Sequence, residues 1–328
     1  MTTFTRRLQR IGSSILVSLP KEWVDANKLD KSSQVEIETM QNNLSITAQQ
    51  SIKPTKEVEI SYPLSKEDSV VANITGAYLL GYDLIRIKGK STISIKDREN
   101  IRASMRSLVA IEIIDEDAKT ITAQFLLDES SVNPQKILKR MSSIAQGMFI
   151  DVLGMIQNPD QLASVADRDS EINRQYFLLV RLIRSAIVDK RLATIFNLGD
   201  MDILDYRLAA NIIENAGDTI VSITDTIAKS KAFKTLSKSN FNLIYEVARD
   251  IEEIQTKSVD AFVSKDRNLA IATIQLHKNL LEKTHAIRPR DPKTDGTEIL
   301  PFLDLLQRIK NYEKSWSDIL DLIQPSYK

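Results

Sequence analysis

Residues 211–223 read NIIENAGDTIVSI. The apolar residues recur at helical spacing, yet Gly217 stands in the middle with Glu214 and Asp218 around it. Four residues apart, the two carboxylates lie on the same helix face, one turn above the other. A glycine inside a helix costs about 1 kcal/mol relative to alanine. Glycine and paired acids together point to a demand other than packing.

Extending the same helix over 204–228 separates two faces. Leu208, Ile212, Ala216, Ile220, Ile223 and Ile227 form an apolar stripe that predicts a buried side. Arg207, Asn211, Glu214, Asn215, Asp218, Ser222 and Asp225 fall on the opposite arc. Taken alone that arc reads as a solvated face, because acids at this spacing are common on helices.

Helical periodicity continues on both sides. From Asn133 onward it predicts six helices, near 134–157, 160–191, 199–229, 238–265, 267–288 and 298–324. The breaks are NPD (158–160), NLGD (197–200), KSKAFKTLSKSN (229–240), SKDRN (264–268) and RPRDPKTDG (288–296). Three helices, a break and three more predict two tandem three-helix units, 133–230 and 238–328, packed as antiparallel bundles.

Upstream the texture is different. Residues 1–50 read as short strands, FTRRLQRI and SSILVSL around Gly12 and QVEIETM and NLSITA around QNN, with a short helix PKEWVDANK between them. Such a unit has a very small core and is expected to gain stability as a homodimer. Residues 51–63, with Pro54 and Pro63, read as a linker. Residues 64–131 read as an α+β connector: a helix near 66–80, the strand LIRIKG, a helix near 96–108, and a hairpin in AIEIIDEDAKTITAQFLL.

Composition narrows the chemistry. The 328 residues carry 44 Lys and Arg against 44 Asp and Glu, so net charge singles out no partner. With no cysteine and two histidines, His277 and His285, a thiolate or imidazole zinc site is excluded. The cysteine-free chain suits a reducing cytoplasm. The longest apolar run, YFLLVRLIRSAIV (176–188), is broken by Arg181 and Arg184 and is too short for a membrane span. No Ser/His/acid or Cys/His set supports nucleophilic catalysis, so an enzyme is not expected. GKST (89–92) has the ending of a P-loop, but Leu84 stands where the preceding glycine belongs and the run after it reads as strand. No nucleotide cofactor is expected.

NIIENAGDTIVSI resembles the third-helix motif of the PhoU family, R-x-x-E-R-I-G-D-x-x-x-N-I. Glu214, Gly217, Asp218 and Ile223 match, Asn211 stands for the arginine and Ser222 for the asparagine. DRDSEINRQYFLLVRLI resembles the family's preceding D-x-x-x-D helix, with Asp169 matching and Asn173 replacing the second acid. The resemblance implies a divalent or iron-type metal held by Asp169, Glu214 and Asp218, hard oxygen donors that suit such ions. In LLQRIKNYEKSWSDILDLI the second repeat keeps Arg308 but has Asn311 and Ser315 in place of the acids, and IQLHKNLLEK has no acid pair. At most one metal site is implied, in the first repeat.

RRLQRIGSSILVSLPKEWVDANKLDKSSQVEIE resembles the SpoVT/AbrB-like swapped-hairpin domain, carried by Gly12, Pro20, Trp23, Leu29 and Val35–Ile37. Ser32 and Ser33 stand where Gly-Asp is usual. In that family two chains interleave and a basic strand face meets DNA. Residues 1–21 hold Arg6, Arg7, Arg10 and Lys21 and no acid. Doubled in a dimer, these four cations would neutralise several phosphates. A dimer clip with solvated arginines is the alternative.

The two resemblances together imply a phosphate uptake regulator of the archaeal type, acting at promoters of phosphate-transport genes and touching transporter or signalling proteins. A non-DNA-binding adaptor that restrains a phosphate ABC transporter through protein contacts is the second reading.

Overall fold

A computed structural model describes residues 3–40, 43–48, 55–63, 69–156, 165–229, 233, 238–285 and 296–323. The break expected at 158–160, the one at 288–296 apart from Gly296, most of the one at 229–240, and the first part of the linker at 51–54 lie outside them. The chain divides into two compact units, Met1–Thr55 and Lys56–Lys328.

Among the described residues the N-terminal unit holds two hairpins and one helix. Strands β1 (Gln9–Ile11) and β2 (Ser14–Leu16) pair antiparallel around Gly12, whose φ of +63° favours glycine. Each strand is three residues long, shorter than the apolar runs suggest. Helix α1 (Lys21–Ala26) follows Pro20, and β3 (Val35–Met40) pairs with β4 (Asn43–Ala48). The turn before β3 lacks a glycine because Asp30 closes it. Asp30 Oδ1 accepts from the Ser32 amide (2.9 Å), Ser32 Oγ (2.7 Å) and Ser33 Oγ (3.0 Å). β1–β2 and β3–β4 are separate two-stranded sheets, and no residue of α1 is buried.

The second unit opens with a mixed sheet. Strand β5 (Glu57–Tyr62) lies in the stretch expected to be a linker, because EVEISY alternates and buries Ile60 on the sheet's covered side. β5 pairs parallel with β6 (Leu84–Gly89) across the crossover helix α2 (Val70–Leu79). Helix α3 (Ile95–Arg106) leads to the hairpin β7 (Ile111–Glu116) and β8 (Thr120–Phe125), giving the order β5-β6-β8-β7. Ile60, Ile85, Ile87, Ile121, Ala123 and Phe125 are buried with Ile74 and Tyr78 of α2 and Ile101 and Met105 of α3. α3 starts three residues after Thr92, so GKST is followed by helix and not by strand. The Gly89 amide donates to Lys119 O (2.7 Å) and so closes a turn instead of facing a phosphate.

The bundle then follows. Helices α4 (Pro134–Gly154), α5 (Val165–Val188) and α7 (Asp200–Lys229) pack on one another, and α8 (Lys238–Ser264), α9 (Arg267–His285) and α10 (Gly296–Leu320) form the second set. Asn133 caps α4, accepting from the Lys136 amide (2.9 Å), with Pro134 at the first helical position. A short α6 (Lys190–Phe196), capped by Asp189, separates α5 from α7 where one continuous helix was expected to 191.

The two helical sets share one core. α7 packs on α10 and α4 on α8. Phe149 stacks on Tyr312 at 4.3 Å between ring centres, and Trp316 meets Tyr312 edge-on. A buried relay crosses the same seam: Tyr312 OH donates to Gln255 Oε1 (2.8 Å), and Gln255 Nε2 donates to Ser142 O (2.8 Å). Among the described residues no helix is long and apolar enough to cross a membrane.

Candidate functional site: a carboxylate cleft between two helices

The glycine of the opening stretch is explained by the neighbour it meets. A Cβ built on Gly217 would lie 3.2 Å from Ile172 Cδ1 and 3.5 Å from Asp169 Oδ1. The hydrogen side chain lets α5 approach α7 closely, which brings Asp169 beside the acids of α7. Gly217 is buried, Asp169 and Glu214 are half-buried, and Asp218 is exposed.

The three acids feel one another. Burial first, and then the charge of Asp218, pushes the Asp169 carboxyl above its ordinary value. Burial, Asp218 and Asp169 push Glu214 up as well, against the pull of Arg207. Among the described residues none of the three makes an ion pair. Asp169 accepts from Asn173 Nδ2 (3.3 Å), so the amide that replaces the family's second acid softens the repulsion.

Arg207 stands close to where the family arginine is missing. Asn211, at the family's arginine position, accepts from Tyr176 OH (3.4 Å), and the Arg207 guanidinium lies over the Tyr176 ring at 5.2 Å. One turn before Asn211, Arg207 supplies the only opposing charge among those acting on Glu214. The wheel placed Arg207 on this face without showing that role.

The rest of the wheel needs rotating. Leu208 is exposed and Ile212 only partly buried, while Tyr206, Ala209, Ala210, Ile213 and Gly217 are buried. The core side of α7 is turned toward 206–213–217, because α5 and α10 flank it where the sequence alone marks no neighbours.

The donor set suits a hard cation in kind, being all oxygen. In number it falls short of a closed cage: among the described residues no group of three Asp, Glu or His stands ready to hold a metal ion.

The second repeat has no counterpart. At the positions of Glu214, Gly217 and Asp218 stand Asn311, Lys314 and Ser315. Its helices are joined instead by His277 Nδ1 and the buried Glu313 carboxylate, which hydrogen-bond between α9 and α10.

The first arginine of the apolar run 176–188 is the largest surprise. Arg181 is fully buried. Its guanidinium donates to Tyr78 O and Tyr82 O (each 2.9 Å), to Glu129 Oε1 (3.1 Å) and to Asp83 Oδ1 (3.2 Å), and it stacks on Phe125 at 3.7 Å. Ser185 Oγ donates to the same Glu129 oxygen (2.9 Å). The α+β module is thus bolted to α5, the helix that also carries Asp169.

In the N-terminal unit Arg6, Arg7, Arg10 and Lys21 are all exposed. Arg6 lies over Phe4 (5.5 Å) and Arg10 Nε donates to Gly12 O (3.3 Å), so these guanidiniums have no acid partner among the described residues.

Two family models match separate segments of the chain. Residues 138–227 match the PhoU domain family, and residues 8–61 match the family described as antidote-toxin recognition MazE, bacterial antitoxin. The PhoU match runs from α4 to α7 and includes all three acids. Ahead of it stands a MazE/AbrB-like domain whose matched segment runs into β5. Residues 238–323 lie outside the PhoU match. The crystal structure of PhoU from Pseudomonas aeruginosa is similar to this chain at 14% identity, covering 58% of this chain and 93% of that one, with a TM-score of 0.47. No curated protein matches.

Proposed function

We propose that this chain is a phosphate-homeostasis regulator whose N-terminal unit dimerises on DNA and whose helical bundle responds to a cation in the α5–α7 cleft. The observation that carries this reading is the joining, in one chain, of a MazE-type unit with a basic strand to a PhoU domain. Dimerisation is favoured by the unit's exposed apolar residues: Leu8, Ile11 and Ile15 are 70%, 63% and 67% exposed. A unit of this size that leaves them in water has too little core, and a second copy would cover them. Two-fold doubling of Arg6, Arg7, Arg10 and Lys21 then makes a patch matched to a phosphate backbone.

In the cleft, a divalent or iron-type ion would be held by Asp169, Glu214 and Asp218 with water completing its shell. When bound it supplies positive charge that relieves the mutual repulsion of these acids. Asn173 and Arg207 hold the acids in place by hydrogen bond and charge.

The adaptor reading has one observation in its favour. Leu8 and Ile11 interleave with Arg7 and Arg10 along and just ahead of β1, as a dimer clip would need. Fluorescence anisotropy on duplex DNA from the phosphate-transport promoter, across a salt series, separates the two. Steeply salt-dependent binding, lost in Arg6→Ala/Arg7→Ala/Arg10→Ala, is the expected result. No binding at low salt would leave the adaptor, and the bundle's protein contacts would carry the function.

A further inference from the structure

The outer face of α7 changes character along its length. Met201, Leu204 and Leu208 recur at i, i+3 and i+7 and are 58%, 53% and 45% exposed. The same face continues through Asn211 and Asn215 to Asp218 and Ser222. Glu214 lies at its edge, with Asp169 of α5 beside it. Ile187 and Val188, at the end of antiparallel α5, are also exposed.

We infer that this face is a docking surface for a basic amphipathic helix of a protein partner. Three apolar residues in helical register offer a seam for an apolar helix face. The acids that follow have no ion pair among the described residues, so the occupant must bring cations to that end. Asp225, a turn further on, is already paired with Lys229 (2.7 Å), which ends the free anionic stretch.

Charge decides among occupants. With Asp169, Glu214 and Asp218 gathered at one end against the single Arg207, the surface repels nucleic acid and anionic lipid headgroups, leaving a cationic protein segment. Met201 to Asp218 spans about 25 Å at roughly 1.5 Å per residue, so the docking helix needs about 17 residues. Its apolar residues lie over Leu204 and Leu208, and its Lys or Arg residues lie over Asp218 and the cleft. A cation in the cleft therefore weakens the partner, which makes the acids a point where ion and partner compete.

This proposal rests on the reading of the bundle as the protein-binding half of a regulator. The probe is a labelled helical peptide of about 18 residues, leucines at one end and lysines at the other, added to the full-length protein. A control peptide carries glutamates in place of the lysines. The basic peptide is expected to bind and the acidic one not. Leu204→Gln/Leu208→Gln should weaken binding about tenfold or more. Asp218→Asn should weaken it about threefold and flatten its salt dependence.

Equal binding of both peptides, or unchanged binding by the variants, would overturn the proposal. So would a fall in oligomeric state in Leu204→Gln/Leu208→Gln by light scattering, which would assign the stripe to a second copy of the chain. DNA anisotropy on the same samples keeps the two readings apart. Peptide failure with DNA binding intact removes the docking surface alone, and the converse removes DNA engagement alone.

Discussion

Gly217 of α7 lies against Asp169 of α5, so close that a methyl group added to Gly217 would come within 3.5 Å of the carboxylate and 3.2 Å of Ile172. Alanine there is tolerable, because Ile172 Cδ1 is the end of a side chain able to shift by tenths of an ångström. The gain in helix propensity, about 1 kcal/mol, offsets that shift. Gly217→Ala should therefore unfold in urea within about 1 kcal/mol of wild type. Gly217→Val wedges the helices and should cost about 2 kcal/mol. A valine variant as stable as wild type would mean that the helices do not need this approach.

The acids make a second expectation. Asp169 and Glu214 hold protons more readily in the folded chain than their ordinary values of 3.8 and 4.5. Ionised, they therefore penalise the fold, and the penalty fades as pH falls through the raised values toward the ordinary ones. Asp169→Asn should stabilise the protein near pH 7.5 by up to about 1 kcal/mol, a modest figure because both groups are part-exposed. The difference should close only below the ordinary value of 3.8. Millimolar Mn²⁺ should raise the melting temperature of wild type and not of the variant; identical shifts in both would remove the cleft as the binding site.

Arg181 makes a third. Lysine keeps the charge but cannot reach carbonyls, Asp83 and Glu129 together. Arg181→Lys should cost about 3 kcal/mol, and Arg181→Met at least as much because it also removes the positive charge beside the buried Glu129. Hydrogen exchange should speed up at α2 and β6, where Tyr78, Tyr82 and Asp83 lose their donor. A loss confined to α5 would mean that the module does not depend on this contact.

The sequence signalled some of these features and hid others. The α7 motif drew the eye to Glu214 and Asp218 because glycine and acids sit within one helical turn of each other, a local pattern, whereas Asp169 of α5 was tied to them only through the family resemblance. LIRIKG and the hairpin around DEDAK were legible because strand alternation and turn chemistry are local too. EVEISY was hidden between Pro54 and Pro63, which read as punctuation around a linker. α6 was merged into α5, since one capping aspartate, Asp189, is all that marks the new start. Arg181 was legible only as an interruption of an apolar run, because its acceptors lie in the α2–β6 turn and at Glu129, far away in sequence. Leu208 was misplaced because a wheel fixes relative angles and not which neighbour the helix meets.

The buried pair of the second repeat yields the last expectation. Glu313 is buried on α10, and burial pushes its carboxyl up while His277 of α9 pulls it down and Asp318 adds repulsion. A carboxylate whose folded value is raised is most costly when ionised, so the help from His277 matters most at neutral pH and above. His277→Ala should cost about 2 kcal/mol at pH 7.5. At pH 4.5, the ordinary value of a glutamate carboxyl, the loss should shrink, since Glu313 with its raised value mostly holds its proton there and needs less from a partner. Glu313→Gln keeps an oxygen for the imidazole to bond and should stay within about 1 kcal/mol of wild type at both pH values. Urea unfolding of the three proteins at the two pH values decides it. A His277→Ala loss that is the same at both would make the contact one of packing, with no charge in it.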